Sequence, residues 1–144
     1  MKFILDHLAI GSYQDALRPA PDITALLNVA EEKDLKTSLL YHKVPIIDMQ
    51  PIPSGQMLEA VKWIQKYIGK HKIMVFCNAG IGRSPSVVIG YLCCFLNYGF
   101  GQAIEYVAKK KSDISILPNL IKTIEETKRL LKINEGLNLG SRFG

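Results

Sequence analysis

The chain has 144 residues, nearly half of them apolar, and a net charge of +5 carried mostly by lysine. That length suits one domain with a real hydrophobic core, and that balance excludes an intrinsically disordered chain. No apolar stretch approaches the roughly 18 residues that a membrane-spanning helix needs.

The opening Met1–Leu5 is interrupted by Asp6 and His7, too early for a secretory signal, so the expected location is the cytoplasm. Arg18 to Asp22, with two prolines, reads as a loop. Ala25 to Val29 predicts a buried strand, and Val44 to Ile47 a second short strand followed directly by Asp48. Pro51, Pro53 and Gly55 mark a loop, after which Ser54 is placed to cap a helix with Met57, Val61, Ile64 and Ile68 on one face and Gly69 at its end. Ile73 to Phe76 predicts a fully buried strand. A loop from Cys77 to Gly82 leads into a helix over Arg83 to Asn97, apolar almost all round and therefore expected in the core. Gly99 and Gly101 break the chain before a helix over Gln102 to Lys111. Leu117, Leu120, Ile121, Ile124 and Leu131 form the stripe of a last helix, and residues 134–144 are expected to be a flexible tail. Strands alternating with helices imply an α/β single domain over 1–144, with a central, mostly parallel sheet flanked by helices. The crowding of helices in the second half implies a helical layer behind it.

The chemistry concentrates in Cys77-Asn78-Ala79-Gly80-Ile81-Gly82-Arg83-Ser84, between a buried strand and a helix. Gly80 and Gly82 let the backbone curl so that the N–H groups of Asn78, Ala79, Gly80, Ile81 and Gly82 can ring an anion. The following helix start adds its positive end, and the planar fork of Arg83 can hold two phosphate oxygens. The same setting favours a thiolate at Cys77. Ser84 can donate to that sulfur. Phosphoryl transfer to Cys77 also needs a proton donor for the leaving oxygen. Asp48 is the candidate, since a residue just after a strand should emerge at the same sheet edge as Cys77. Asp22, Asp34 and Asp113 lack such a placement.

Cys77 to Ser84, with Pro85 after it, resembles the signature loop of the dual-specificity branch of the protein tyrosine phosphatase superfamily. Leu8 to Ser12 with Asp15-Ala16, Leu27 to Ala30, Ala103 with Val107, and Leu117-Pro118-Asn119 are similar to further family motifs. Asp48 precedes Cys77 at close to the family's acid-to-cysteine spacing. The resemblance covers roughly residues 4 to 132. It implies a protein tyrosine phosphatase-like fold and a two-step reaction through a cysteinyl phosphate. Catalytic roles then fall on Cys77, Arg83, Asp48 and Ser84. Two departures stand out. The family's histidine before the nucleophile is replaced by Phe76, which is expected to add apolar bulk behind the sulfur. Ser112 to Ser115 lacks the arginines common there.

Three cysteines, an odd number, argue against a disulfide framework, and Cys93 and Cys94 read as packing residues. The separated His7, His42 and His71 offer no metal-ligand spacing, so neither metal nor cofactor is expected. Scattered lysines, with one short run at Lys109 to Lys111, predict no nucleic-acid partner. The expected partner is a phosphorylated protein, met by a monomer. A non-protein phosphomonoester, such as a phosphoinositide or nucleotide, and a weakly active phosphate-binding module are the alternative readings. A rhodanese-type sulfurtransferase would not need Asp48. The low-molecular-weight phosphatases carry the cysteine ahead of the acid, the reverse of the order here. The uncharged Asn78, Ala79 and Ile81 favour phosphoprotein over phosphoinositide.

Overall fold

In a computed structural model the backbone is described for residues 1–143 and the side chains for 1–135, so most of the segment 134–144 expected as a tail lies outside the residues whose side chains are described. Five strands, β1 (Lys2–Leu5), β2 (Leu8–Ser12), β3 (Ala25–Asn28), β4 (Leu40–Lys43) and β5 (Ile73–Cys77), form one sheet in the order β1-β2-β5-β3-β4. β1 runs antiparallel to β2, and all other neighbours are parallel. The helices are α1 (Tyr13–Leu17), α2 (Ser54–Tyr67), α3 (Arg83–Phe95), α4 (Phe100–Lys110) and α5 (Leu120–Phe143).

The two central strands read as continuous apolar runs because both of their faces are covered: every residue of β3 and β5 is buried. Alternate residues separate into two cores. Ile73, Val75 and Cys77 face the larger one, with Leu8, Ile10, Ala25 and Leu27, under helices α2 to α5. Met74 and Phe76 face a smaller one with Ala9, Ala16, Ile23 and Leu26, closed by α1 and the loops around it. The buried set on α2 is Met57, Ala60, Val61 and Ile64, which includes three residues of the predicted face, whereas the fourth, Ile68, is the C-cap and only partly buried. α3 is buried from Arg83 through Cys93. On α5 Leu120 and Ile124 are buried, but Ile121 is exposed; Thr123 and Thr127 take its place in the core. Their hydroxyls are satisfied by the carbonyls of Ile52 and Thr123, at 2.8 and 2.7 Å.

The structure departs from the sequence reading at several places. The strand expected at Val44–Ile47 is instead β4, one stretch earlier. Pro45 has no N–H for a ladder, and Ile46 N bonds back to Val44 O at 2.8 Å. Ser54 does not cap α2: it is the first helical residue, the cap position is Pro53, and no side chain bonds there. β1 was hidden in a segment too short to show a period. Gly101 lies inside α4, and only Gly99 precedes that helix, with Gln102 Oε1 accepting its N–H at 3.2 Å.

Phe76 is also placed differently from expectation. Its ring belongs to the smaller core, on the sheet face opposite Cys77, so it adds no bulk behind the sulfur. Phe76→His would put a polar ring among alanine, isoleucine, leucine and methionine side chains. We expect a loss of stability of about 1–3 kcal/mol, the mutational cost of burying a poorly paired polar group, read as a lower urea midpoint at unchanged slope.

Candidate active site

Because β2, β5 and β3 are parallel, their C-terminal ends emerge at one edge. Ser12 is level with Cys77, and Asn28 with Phe76. Cys77 therefore ends the central strand, flanked on both sides. The loop after it is tied to the neighbouring strand end, where Tyr13 N donates to Asn78 O at 3.1 Å. Gly80 adopts φ +75°, and a Cβ there would lie 2.9 Å from Gly11 O, so no other residue fits without a shift of backbone. Its role is to let the loop close against β2; it packs on β2 and does not line the pocket below.

The chain folds Cys77, Asn78, Ala79, Ile81, Gly82, Arg83 and Asp48 around one pocket of about 400 Å³. Ser84 sits beside the sulfur. Its hydroxyl is 3.2 Å from Cys77 Sγ, and its backbone N donates to the sulfur at 3.5 Å. Asp48 is half exposed, with Oδ1 accepting from Met49 N at 2.9 Å and lying 3.7 Å from Arg83 Nε. The remaining wall is Met49 and Ser115 to Pro118; the sequence marks Leu117-Pro118 as a family motif and Ser115 as the end of a stretch without arginines, but assigns none of them to the pocket. This wall is tethered by Ser115 N to Ile81 O at 2.8 Å, and by Ser86, whose hydroxyl donates to Gly82 O at 2.7 Å while accepting from Leu117 N at 3.0 Å. Ser86 thus clamps the second wall to the start of α3.

Sequence reasoning also missed Glu32. It sits in the turn after β3, 51 positions from Arg83, with no spacing signal to link them. Arg83 Nη1 donates to Glu32 Oε1 at 2.6 Å and Nη2 to Oε2 at 2.7 Å, and Nη1 also reaches Ile46 O at 3.1 Å. The Arg83 side chain is only 2% exposed, whereas Glu32 is 46% exposed. Among the described residues Arg83 Nε, also buried, has no hydrogen-bond partner. The end of the guanidinium is held by Glu32, and the side carrying Nε is left for another acceptor at the pocket. The paired hydrogen bonds from Arg83 hold Glu32 down at about 2, and those same bonds raise Arg83 above its ordinary value against the opposing effect of burial.

Residues 9–129 match the family model described as dual specificity phosphatase, catalytic domain. The chain belongs to that family. This dual specificity phosphatase domain is 33% identical over 97 residues to dual specificity protein phosphatase 5 of Homo sapiens, which covers 65% of this chain and 25% of that protein. It is 31% identical over 120 residues to dual specificity protein phosphatase 4 of Homo sapiens, which covers 78% of this chain and 30% of that protein. The chain thus spans about a quarter to a third of the length of these curated relatives. The solved structure of DUSP15 superposes with a TM-score of 0.80 at 22% identity, over 100% of this chain and 97% of that one, in agreement with the protein tyrosine phosphatase-like fold. No helix among the described residues of the domain is long and apolar enough to cross a membrane.

The Glu32–Arg83 pair carries a pH signature. A carboxylate held at about 2 in the fold, against an ordinary 4.5, contributes stability that is fully present above 4.5 and lost as pH falls through about 2. Glu32 is half exposed, so the contribution is about 1 kcal/mol after solvent screening. In urea titrations from pH 7 to pH 2 the gap between the parent and Glu32→Gln should be constant above 4.5 and close below it. A gap that does not depend on pH would assign the loss to packing.

Proposed function

We propose that the domain is a metal-independent protein phosphatase that hydrolyses phosphotyrosine, and also phosphoserine and phosphothreonine, through a cysteinyl phosphate on Cys77. The observation that carries the reading is one pocket holding a strand-end sulfur bonded by Ser84, a buried guanidinium with its Nε side uncommitted, and a carboxyl group beside it.

In the first step Cys77 Sγ, as thiolate, attacks phosphorus. The ester P–O bond breaks, and the leaving oxygen takes a proton from Asp48. In the second, water attacks phosphorus and gives its proton to Asp48. The P–S bond breaks, inorganic phosphate leaves, and the sulfur departs as a thiolate supported by the Ser84 hydroxyl and backbone N–H. The equatorial oxygens are held by Arg83 through Nε and Nη2, by the N–H groups of the pocket-lining Asn78, Ala79, Ile81 and Gly82, and by the positive start of α3. These cationic and dipolar groups take the role a metal would have in other phosphatases.

The uncharged side chains of Asn78, Ala79 and Ile81, and the apolar wall of Met49, Ile116 and Leu117, favour a phosphorylated protein side chain over a multiply charged phosphoinositide headgroup. The three cysteines are free, as suits a reducing compartment, and the reading includes a single catalytic domain acting as a monomer in the cytoplasm with no nucleic-acid partner. A panel of phosphopeptides, phosphoinositides and an aryl phosphate, run with and without chelator, tests it. Turnover of phosphopeptides insensitive to chelator is expected, and a preference for phosphoinositides would overturn the substrate class.

Cys77→Ser should abolish turnover while phosphate binding survives, because the hydroxyl is a poor nucleophile while the loop donors remain; substantial residual turnover would end the covalent route. Asp48→Asn, which can keep the bond from Met49 N, should lower turnover on a phosphopeptide by about 10²–10⁴-fold. The loss should be smaller on an aryl phosphate whose leaving group needs no proton.

A further inference from the structure

The pair between Glu32 and Arg83 poses a question: Glu32 stands in an exposed turn, yet it meets a buried guanidinium with two short bonds. The turn is restrained from two sides. From within β3, the buried Asn28 side chain donates to Lys33 O at 2.7 Å and accepts from Ala30 N at 2.9 Å. From β4, the neighbouring edge strand, Lys43 Nζ donates to Glu31 O at 2.9 Å, to Lys33 O at 2.8 Å and to Asp34 Oδ1 at 2.8 Å. All three N–H donors of the ammonium are thereby committed to one turn, and two of them take the carbonyls of the residues on either side of Glu32. The Lys43 side chain is 25% exposed, less than expected of a solvated surface lysine. Asp34 is nearly fully exposed, so the ion pair with it is weak, and the carbonyl contacts carry the restraint.

We propose that Lys43 is a positioning residue for the phosphate-binding arginine: by clamping the carbonyls of Glu31 and Lys33 it fixes the turn that presents Glu32 to Arg83. A carboxylate on an unclamped turn would still be attracted to the guanidinium, but it would sample geometries in which the end-on pair is broken. The Nε side of Arg83 would then not be held toward the pocket. The cationic group nearest along the turn is Lys33, which adds to the effect of Arg83 on Glu32; Asp48, on the far side of the guanidinium, draws on the same charge.

The kinetic arm of the test rests on the phosphatase reading, and the spectroscopic arm does not. Lys43→Met keeps the aliphatic stem and removes the three donors. In a carboxyl NMR titration of the full chain, the Glu32 midpoint should rise by about 1 pH unit or more from its low position, beyond the few tenths that loss of one surface charge supplies. A smaller rise would overturn the proposal. In the kinetic arm, kcat/KM for p-nitrophenyl phosphate should fall about tenfold in Lys43→Met, and Lys43→Met added to Glu32→Gln should cost nothing further, as for two residues acting through one contact. Losses that multiply would mean that Lys43 acts independently of Glu32, and would equally overturn it. Absence of turnover in the parent chain would refute the phosphatase reading and leave Lys43 to be judged by the titration.

Discussion

A guanidinium almost entirely removed from water is the constraint around which this domain is arranged. Leaving Arg83 buried without a partner is unfavourable, and a neutralising carboxylate with two-point geometry offsets that cost. Glu32 supplies it at 2.6 and 2.7 Å, end-on, so that the pairing uses one end of the fork and spares the side with Nε. The arrangement meets two demands that usually conflict. The cation is held and neutralised in the resting protein, and it still has directed donors for an anion in the pocket.

That demand extends outward to three loops. The turn after β3 must carry Glu32 inward, and Asn28 and Lys43 hold it. The segment after β4 must pass close enough for Ile46 O to accept from Arg83, and the same carbonyl accepts from Glu31 N at 3.1 Å. This shared acceptor ties the two loops together and delivers Asp48 to the rim two residues later. On the other side, Ser86 and Ile81 O hold the 115–117 segment against the start of α3. The pocket is therefore a meeting of loops, each fixed by buried hydrogen bonds to the scaffold.

The sheet makes this convergence possible. Parallel strands deliver their C-terminal ends to one edge, and the pleat sends consecutive residues to opposite faces. Phe76 and Cys77 illustrate the consequence: adjacent in sequence, they serve separate cores. The larger core, under four helices, supplies the rigidity behind the sulfur. The smaller one, under α1, fixes the strand from the other side, and a full aromatic side chain there contributes about 2–3 kcal/mol of burial.

Much of this was legible in the chain itself. Continuous apolar runs determined β3 and β5, helical spacing determined α2, an apolar stretch too long for a strand determined α3, and glycines between strand and helix determined the loop from Cys77 to Arg83, because these are short-range consequences of backbone sterics and periodicity. Asp48 was chosen for its place just after a predicted strand, and its spacing from Cys77 resembles the family's, although the strand invoked to deliver it lies four residues earlier than expected. Tertiary structure alone decided the rest. β4 was concealed because an edge strand with Tyr, His and Lys lacks an apolar run. Glu32, Ser86 and Lys43 act through partners 51, 31 and 10 to 12 positions away, and their contacts leave no local pattern. The direction of Phe76 followed from register and not from composition. Local sequence specifies which elements form; which side chain completes a buried charge depends on how distant loops meet at the sheet edge, and hydrogen bonding there is settled by three-dimensional geometry.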